Sequence, residues 1–199
     1  MTGVQTCALP IVRPFRLAGH SWGAYTALHY AATRPSSVSR LFLIDGGVAS
    51  IRDRFGATWA EAEAQMAPHS FDGVNLEALE GMIRERWLGD AFRPELLPLA
   101  LSVFDISNPD QVRARLPRAQ HLQIALALWE YDPLTDFARL STATLAIIAV
   151  AGTERTPLME TSAAAAQAAC PPLRIRWMEH TIHDVPWQRP AELAALLQT

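Results

Sequence analysis

The sequence predicts an α/β fold, a parallel sheet of about four strands interrupted by one long helical insert. Three observations carry that prediction. Leu41–Ile44 and Leu145–Ala151 are short apolar runs bounded by turn residues, the signature of strands buried on both faces. Between them, roughly Ser50 to Thr144 reads as helix broken by Gly, Pro and Asn. The pentapeptide Gly19-His20-Ser21-Trp22-Gly23 lies between an apolar stretch, Phe15-Arg16-Leu17-Ala18, and a helix-like run from Ala24 to Arg34.

Taken in order, the first strand ends at the pentapeptide, and the helix from Ala24 to Arg34 is closed by Pro35. That helix makes the crossover to the second strand, Arg40-Leu-Phe-Leu-Ile-Asp45, which stops at Gly46-Gly47. In the insert, helices are expected over Trp59–Met66, Leu76–Trp87, Pro94–Phe104 and Gln111–Trp129. Its Trp59, Met66, Met82, Trp87, Phe104 and Trp129 are expected mostly to pack the insert's own core, with a minority facing Ser21 as a substrate-binding wall. The third strand, Leu145–Ala151, is stopped by Gly152, and Ala163–Ala169 lies in a helix ended by Pro171-Pro172. Leu173-Arg-Ile-Arg-Trp-Met178 alternates apolar and basic residues, as a half-exposed strand near a sheet edge does. Pro190–Leu197 reads as a closing helix with proline in its first turn.

Bulk properties narrow the function classes. Of 199 residues, 50% are hydrophobic and 19% charged, so the chain has the material for one proper core. A net charge of −3 gives no electrostatic case for nucleic acid or an anionic membrane. No apolar run reaches the length that crosses a bilayer. The two cysteines, Cys7 and Cys170, have no metal-ligand spacing, and free thiols fit a reducing, cytoplasmic compartment. No metal or organic cofactor is implied.

Chemistry concentrates at Ser21. Its G-x-S-x-G setting of strand, sharp turn and helix holds the hydroxyl out of the sheet and turns the next backbone N–H, that of Trp22, toward a developing oxyanion. A Cβ at either flanking glycine is expected to clash with a neighbouring element.

The elbow, the helical insert and the tail together resemble the α/β-hydrolase fold, in its lid-bearing, esterase-like members. The similarity covers about Val12 to Thr199, the C-terminal part of such a fold. It implies a partial core over 12–49 and 145–199 and a helical cap over 50–144. Asp132-Pro133-Leu134, followed by Phe137 and Leu140, looks like the return from cap to sheet. His183-Asp184-Val185-Pro186, with Arg189-Pro190-Ala191-Glu192, looks like the family's histidine loop, which makes His183 the general base. His20 is expected to pack beside the serine, and His29, His69 and His121 to be structural or solvent-facing. The family's acid usually follows the seventh strand in a Gly-x-x-Asp turn. Here that turn reads Gly152-Thr153-Glu154-Arg155, with Arg155 in the Asp position. Glu154 is ranked first for the acid, with Asp45 at the end of the second strand as the alternative.

The resemblance implies a serine hydrolase acting on a small-molecule carboxylic ester or similar acyl substrate. Serine at the elbow argues against the haloalkane dehalogenase and epoxide hydrolase relatives, which carry aspartate there. Carbon–carbon hydrolase or haloperoxidase-type chemistry and a non-catalytic ligand-binding relative are the alternatives. The family's second oxyanion donor comes from a loop that the pattern does not contain. Residues 1–11 resemble the translation of a sequencing adapter, so a non-native leader on an incomplete, inactive piece of a longer hydrolase is expected.

Overall fold

A computed structural model describes residues 14–199; the leader expected over 1–11, with Cys7, lies outside the described residues. Four parallel strands form the sheet, Phe15–His20, Val38–Ile44, Thr144–Val150 and Leu173–Glu179, side by side in that order. β1 (Phe15–His20) leads through α1 (Trp22–Thr33) to β2 (Val38–Ile44). The insert then holds α2 (Ile51–Phe55), α3 (Trp59–Met66), α4 (Leu76–Met82), α5 (Leu97–Leu101), the two-residue strands β3 (Phe104–Asp105) and β4 (Arg113–Ala114), α6 (Arg118–Glu130) and α7 (Pro133–Phe137). The chain returns through β5 (Thr144–Val150), α8 (Pro157–Ala169), β6 (Leu173–Glu179), α9 (Val185–Gln188) and α10 (Pro190–Gln198). Fold class and strand count agree with the sequence prediction.

Side-chain alternation along the central strands divides the core in two. Leu41 and Leu43 of β2, with Ala146 and Ile148 of β5, pack against Leu28 and Ala31 of α1, Phe137 of α7 and Ala163 and Ala166 of α8. Phe42, Ile44, Leu145 and Ile147 face the other way, onto Met178, Val185 and Leu193. Both faces of β5 are covered, which is why its sequence is apolar without a break from Leu145 to Val150. Between α1 and α7, the buried Asp136 carboxylate accepts from His29 Nδ1 at 2.8 Å and from the Tyr131 hydroxyl at 2.5 Å. Burial first, then that carboxylate, pushes the Tyr131 pKa up, so its hydroxyl stays a donor.

The insert has a core of its own, Leu79, Ile83, Leu88, Ala100, Phe104 and Val112. α3 runs over Trp59–Met66 as the sequence predicts, started by a capping box between Thr58 and Glu61. Three helices differ from expectation. After Met82 the expected long helix widens into a π-helical turn, Ile83–Leu88, which carries Trp87. The expected Pro94–Phe104 helix is a 3-10 turn, Pro94–Leu96, followed by α5, and Phe104 pairs instead with Ala114 in a small hairpin. The expected Gln111 start moves to Arg118, because Pro117 takes an extended conformation (ψ 144°) and the helix begins only after it.

Candidate active site

Three carboxyl ends of strands build the site. Ser21 sits between β1 and α1 with φ 54° and ψ −120°, a conformation that side chains seldom adopt and that packing must hold. Its own N–H donates to Ile44 O at 2.9 Å, and its carbonyl accepts from Ala24 N at 3.0 Å. The turn is possible because two glycines let backbone pass close. A Cβ on Gly19 would stand 2.1 Å from Gly23 O, and one on Gly46 would stand 2.3 Å from Ser21 O. The steric reading of the flanking glycines therefore holds for Gly19 and fails for Gly23, whose added Cβ meets nothing within 4 Å among the described residues. Gly46, which no motif marks, is the second sterically required position.

β2 supplies Asp45, whose backbone has the left-handed φ of 42° that aspartate tolerates better than most residues. Its N–H donates to Ile147 O at 2.7 Å, and its Oδ1 accepts from Ala149 N at 2.8 Å, so both β5 contacts fix the carboxylate. The loop after β6 supplies His183. Its Nδ1–H donates to Asp45 Oδ2 at 2.5 Å, and its Nε2 accepts from the Ser21 hydroxyl at 2.8 Å. Asp45, second in the sequence ranking, is the carboxylate that meets His183. Glu154 lies exposed in the turn after β5 and makes no hydrogen bond to the imidazole, which corrects the order in which the two acids were placed. The physical reason is the reach of the strand: β5 runs on to Val150, so its turn starts beyond the imidazole, whereas β2 ends level with it.

The Asp45 hydrogen bond is the main influence raising the His183 pKa above its ordinary 6.5; partial burial opposes it, and the Asp45 charge adds to it. The His183 loop is itself held. His20 Nε2–H donates to His183 O at 2.8 Å, the two rings lying 5.0 Å apart, so the histidine next to the serine clamps the His183 backbone. From the insert, Trp87 Nε1–H donates to Asp184 Oδ2 at 2.7 Å, and the Trp87 and Trp187 rings stand 5.1 Å apart. Gln188 accepts from Ile182 N at 2.7 Å and donates to His180 O.

Ser21, Asp45 and His183 open onto a cavity of about 320 Å³. Apolar Trp22, Ile51, Phe55, Met66, Ile148 and Met159 form much of its wall. Met66 is the member of the aromatic and methionine set that reaches the serine. Tyr25 also lines it, donating to Ala49 O at 2.8 Å, with burial pushing its pKa up to about 12. His121, expected to be structural or solvent-facing, packs edge-on to Trp22 at 4.8 Å and faces the same space. Arg54, Gln65 and Ser162 complete the polar lining, and no motif in the sequence announced them. Trp22 begins α1, so its N–H has no acceptor within that helix. Among the described residues no group of three His, Cys, Asp or Glu could hold a metal ion, and no helix is long and apolar enough to cross a membrane.

The family model described as "Alpha/beta hydrolase family" matches residues 5–196. No protein of curated function matches the chain. Among solved structures, E-2-(acetamidomethylene)succinate hydrolase is similar at TM-score 0.69 and 19% identity, covering 94% of this chain and 66% of that one. The thioesterase domain from the curacin biosynthetic pathway is similar at TM-score 0.65 and 17% identity, with coverage of 96% and 67%. The enol-lactonase from Burkholderia xenovorans LB400 follows at TM-score 0.59 and 13% identity, with coverage of 94% and 65%. The chain thus spans about two thirds of the length of these structures.

Proposed function

The chain belongs to the alpha/beta hydrolase family, and on that premise we propose that it carries the catalytic triad of a serine hydrolase acting on carboxylic esters or similar acyl compounds. The observation that carries this reading is the continuous hydrogen-bonded line from Asp45 through His183 to Ser21, at 2.5 and 2.8 Å.

Each residue type has a chemical reason to stand where it does. Asp45 accepts from Nδ1–H, which leaves Nε2 unprotonated and able to accept the serine proton. Ser21 Oγ attacks the acyl carbon, and its proton passes to His183 Nε2. Asp45 stabilises the imidazolium so formed. The N–H of Trp22, at the positive end of α1, faces the oxyanion as the carbonyl bond opens. The imidazolium then gives its proton to the departing alcohol as the C–O bond breaks, leaving an acyl-serine. Water, deprotonated by the same imidazole, attacks the acyl carbon; carboxylic acid departs and Ser21 regains its proton.

In this reading the insert is the cap. It forms the apolar wall opposite Ser21 and, through Trp87 and Asp184, fixes the loop that carries the base. A cavity of about 320 Å³ lies at the small end of ligand pockets, roughly 300–1,000 Å³, and favours a short acyl substrate. The test is hydrolysis of p-nitrophenyl butyrate, followed as an initial burst of p-nitrophenol. A burst near one equivalent, absent in Ser21→Ala, is expected; release that Ser21→Ala leaves untouched would overturn the reading.

A further inference from the structure

Arg54 faces the same cavity as Ser21 and His183, from the last turn of α2. An exposed arginine ordinarily belongs to solvent, but this one stands in a wall otherwise made largely of apolar side chains. Among the described residues its guanidinium has no hydrogen bond and no carboxylate within ion-pairing distance; it rests over the ring of its neighbour Phe55, 5.1 Å from the centroid. Two residues earlier, Arg52 stacks over Trp129 at 4.1 Å and does not line the cavity. The cavity offers Arg54 no internal counter-ion. Asp45 is the carboxylate that lines it, and both Asp45 oxygens are taken, Oδ2 by His183 and Oδ1 by Ala149 N.

That cation also works against the site around it. The positive charge of Arg54 lowers the pKa of His183, opposing Asp45, so it disfavours the imidazolium on which acyl transfer depends. An anion seated on the guanidinium would cancel that effect as it bound. The planar fork of arginine fits a carboxylate with two parallel hydrogen bonds.

We infer that the natural substrate is an acidic acyl compound, bearing a carboxylate that binds Arg54 while its ester or comparable acyl carbon lies at Ser21. The inference rests on the serine-hydrolase reading of this cavity. A neutral ester of equal length would leave Arg54 unpaired and would bind less well.

Monomethyl glutarate and dimethyl glutarate test this, because they share an ester and a chain length and differ in one negative charge. Binding is measured on Ser21→Ala, which prevents turnover, by calorimetry and by intrinsic tryptophan fluorescence, to which Trp22 in the cavity wall contributes. Monomethyl glutarate is expected to bind about tenfold or more tightly than the diester. Arg54→Gln in the same background should erase the preference, and Arg54→Lys should retain part of it. Thermal melting shows whether each variant is folded, and the Lys variant decides the matter if the Gln variant is not. Equal binding of the two esters, or a preference that survives Arg54→Gln, would overturn the inference. Failure of the underlying reading looks different: a charge preference without acylation of Ser21 would leave an anion-binding cleft, whereas acylation without charge preference removes the carboxylate alone.

Discussion

Replacing Asp45 with asparagine changes one atom and should disable the site. Both carboxylate oxygens accept an N–H, from Ala149 at 2.8 Å and from His183 Nδ1 at 2.5 Å. Asparagine has one acceptor and one donor to offer in the same shape. Turning its NH2 toward Ala149 N would set two donors against each other, at a cost of about 1–3 kcal/mol. The amide oxygen therefore stays with Ala149, and the NH2 group faces His183. Nδ1 must then accept, the ring proton moves to Nε2, and Nε2–H donates to Ser21 Oγ where it previously accepted. A base is lost with the geometry intact. The equivalent change in a trypsin-type triad lowers turnover about 10⁴-fold, or about 5 kcal/mol of transition-state stabilisation. The assay is the rate of Ser21 acylation by p-nitrophenyl acetate, with a thermal melt to show that the variant is folded. Asp45→Asn should lose about three to four orders of magnitude, while Glu154→Gln should stay within about threefold. A large loss in Glu154→Gln with Asp45→Asn near wild type would contradict the pairing of Asp45 with His183.

Other perturbations reach different parts of the molecule. Because His183 titrates above its ordinary 6.5 and acts only when neutral, the acid limb of Ser21 acylation should lie above pH 6.5; a limb below it would contradict the geometry. The same raised value makes the Asp45–imidazolium pair stabilising below pH 6.5, with that contribution fading as pH climbs through the folded pKa. The melting-temperature gap between wild type and Asp45→Asn should accordingly be wider at about pH 5.5 than at about pH 9. Gly46→Ala places a methyl 2.3 Å from Ser21 O, so stability should fall by about 1–3 kcal/mol and Ser21 acylation should collapse, read by denaturant titration and p-nitrophenol release. Asp136→Ala removes the shared acceptor of His29 and Tyr131 in a buried position, and should lower stability by about 1–3 kcal/mol in the same titration while leaving acylation close to wild type.

What the sequence made legible follows from the range of the forces involved. β2 and β5 were readable because burial on both faces demands an unbroken apolar run, and α3 because its cap is local. Ser21 and His183 were readable because an elbow and a proline-flanked loop leave marks within a few residues. The meeting of His183 with Asp45 was not, since 138 residues separate them and the decision turns on where β2 and β5 end relative to each other. Gly46 escaped notice for the same reason: its constraint comes from Ser21 O, across a strand boundary. Arg54 sits on a five-residue helix whose pattern fixes no face, so only the packing of α2 beside the cavity distinguishes it from Arg52. In the insert, local prolines overrode apolar periodicity, most plainly at Pro117, which set the start of α6.

If His183, oriented by Asp45, makes Ser21 a nucleophile as we propose, intact-mass analysis and peptide mapping after reaction with a fluorophosphonate will show it. The cavity holds a second serine, Ser162, so the site of the adduct is informative. One adduct, on the peptide containing Ser21 and lost in both Ser21→Ala and His183→Ala, is expected. An adduct on Ser162, or none on a folded chain, would contradict it.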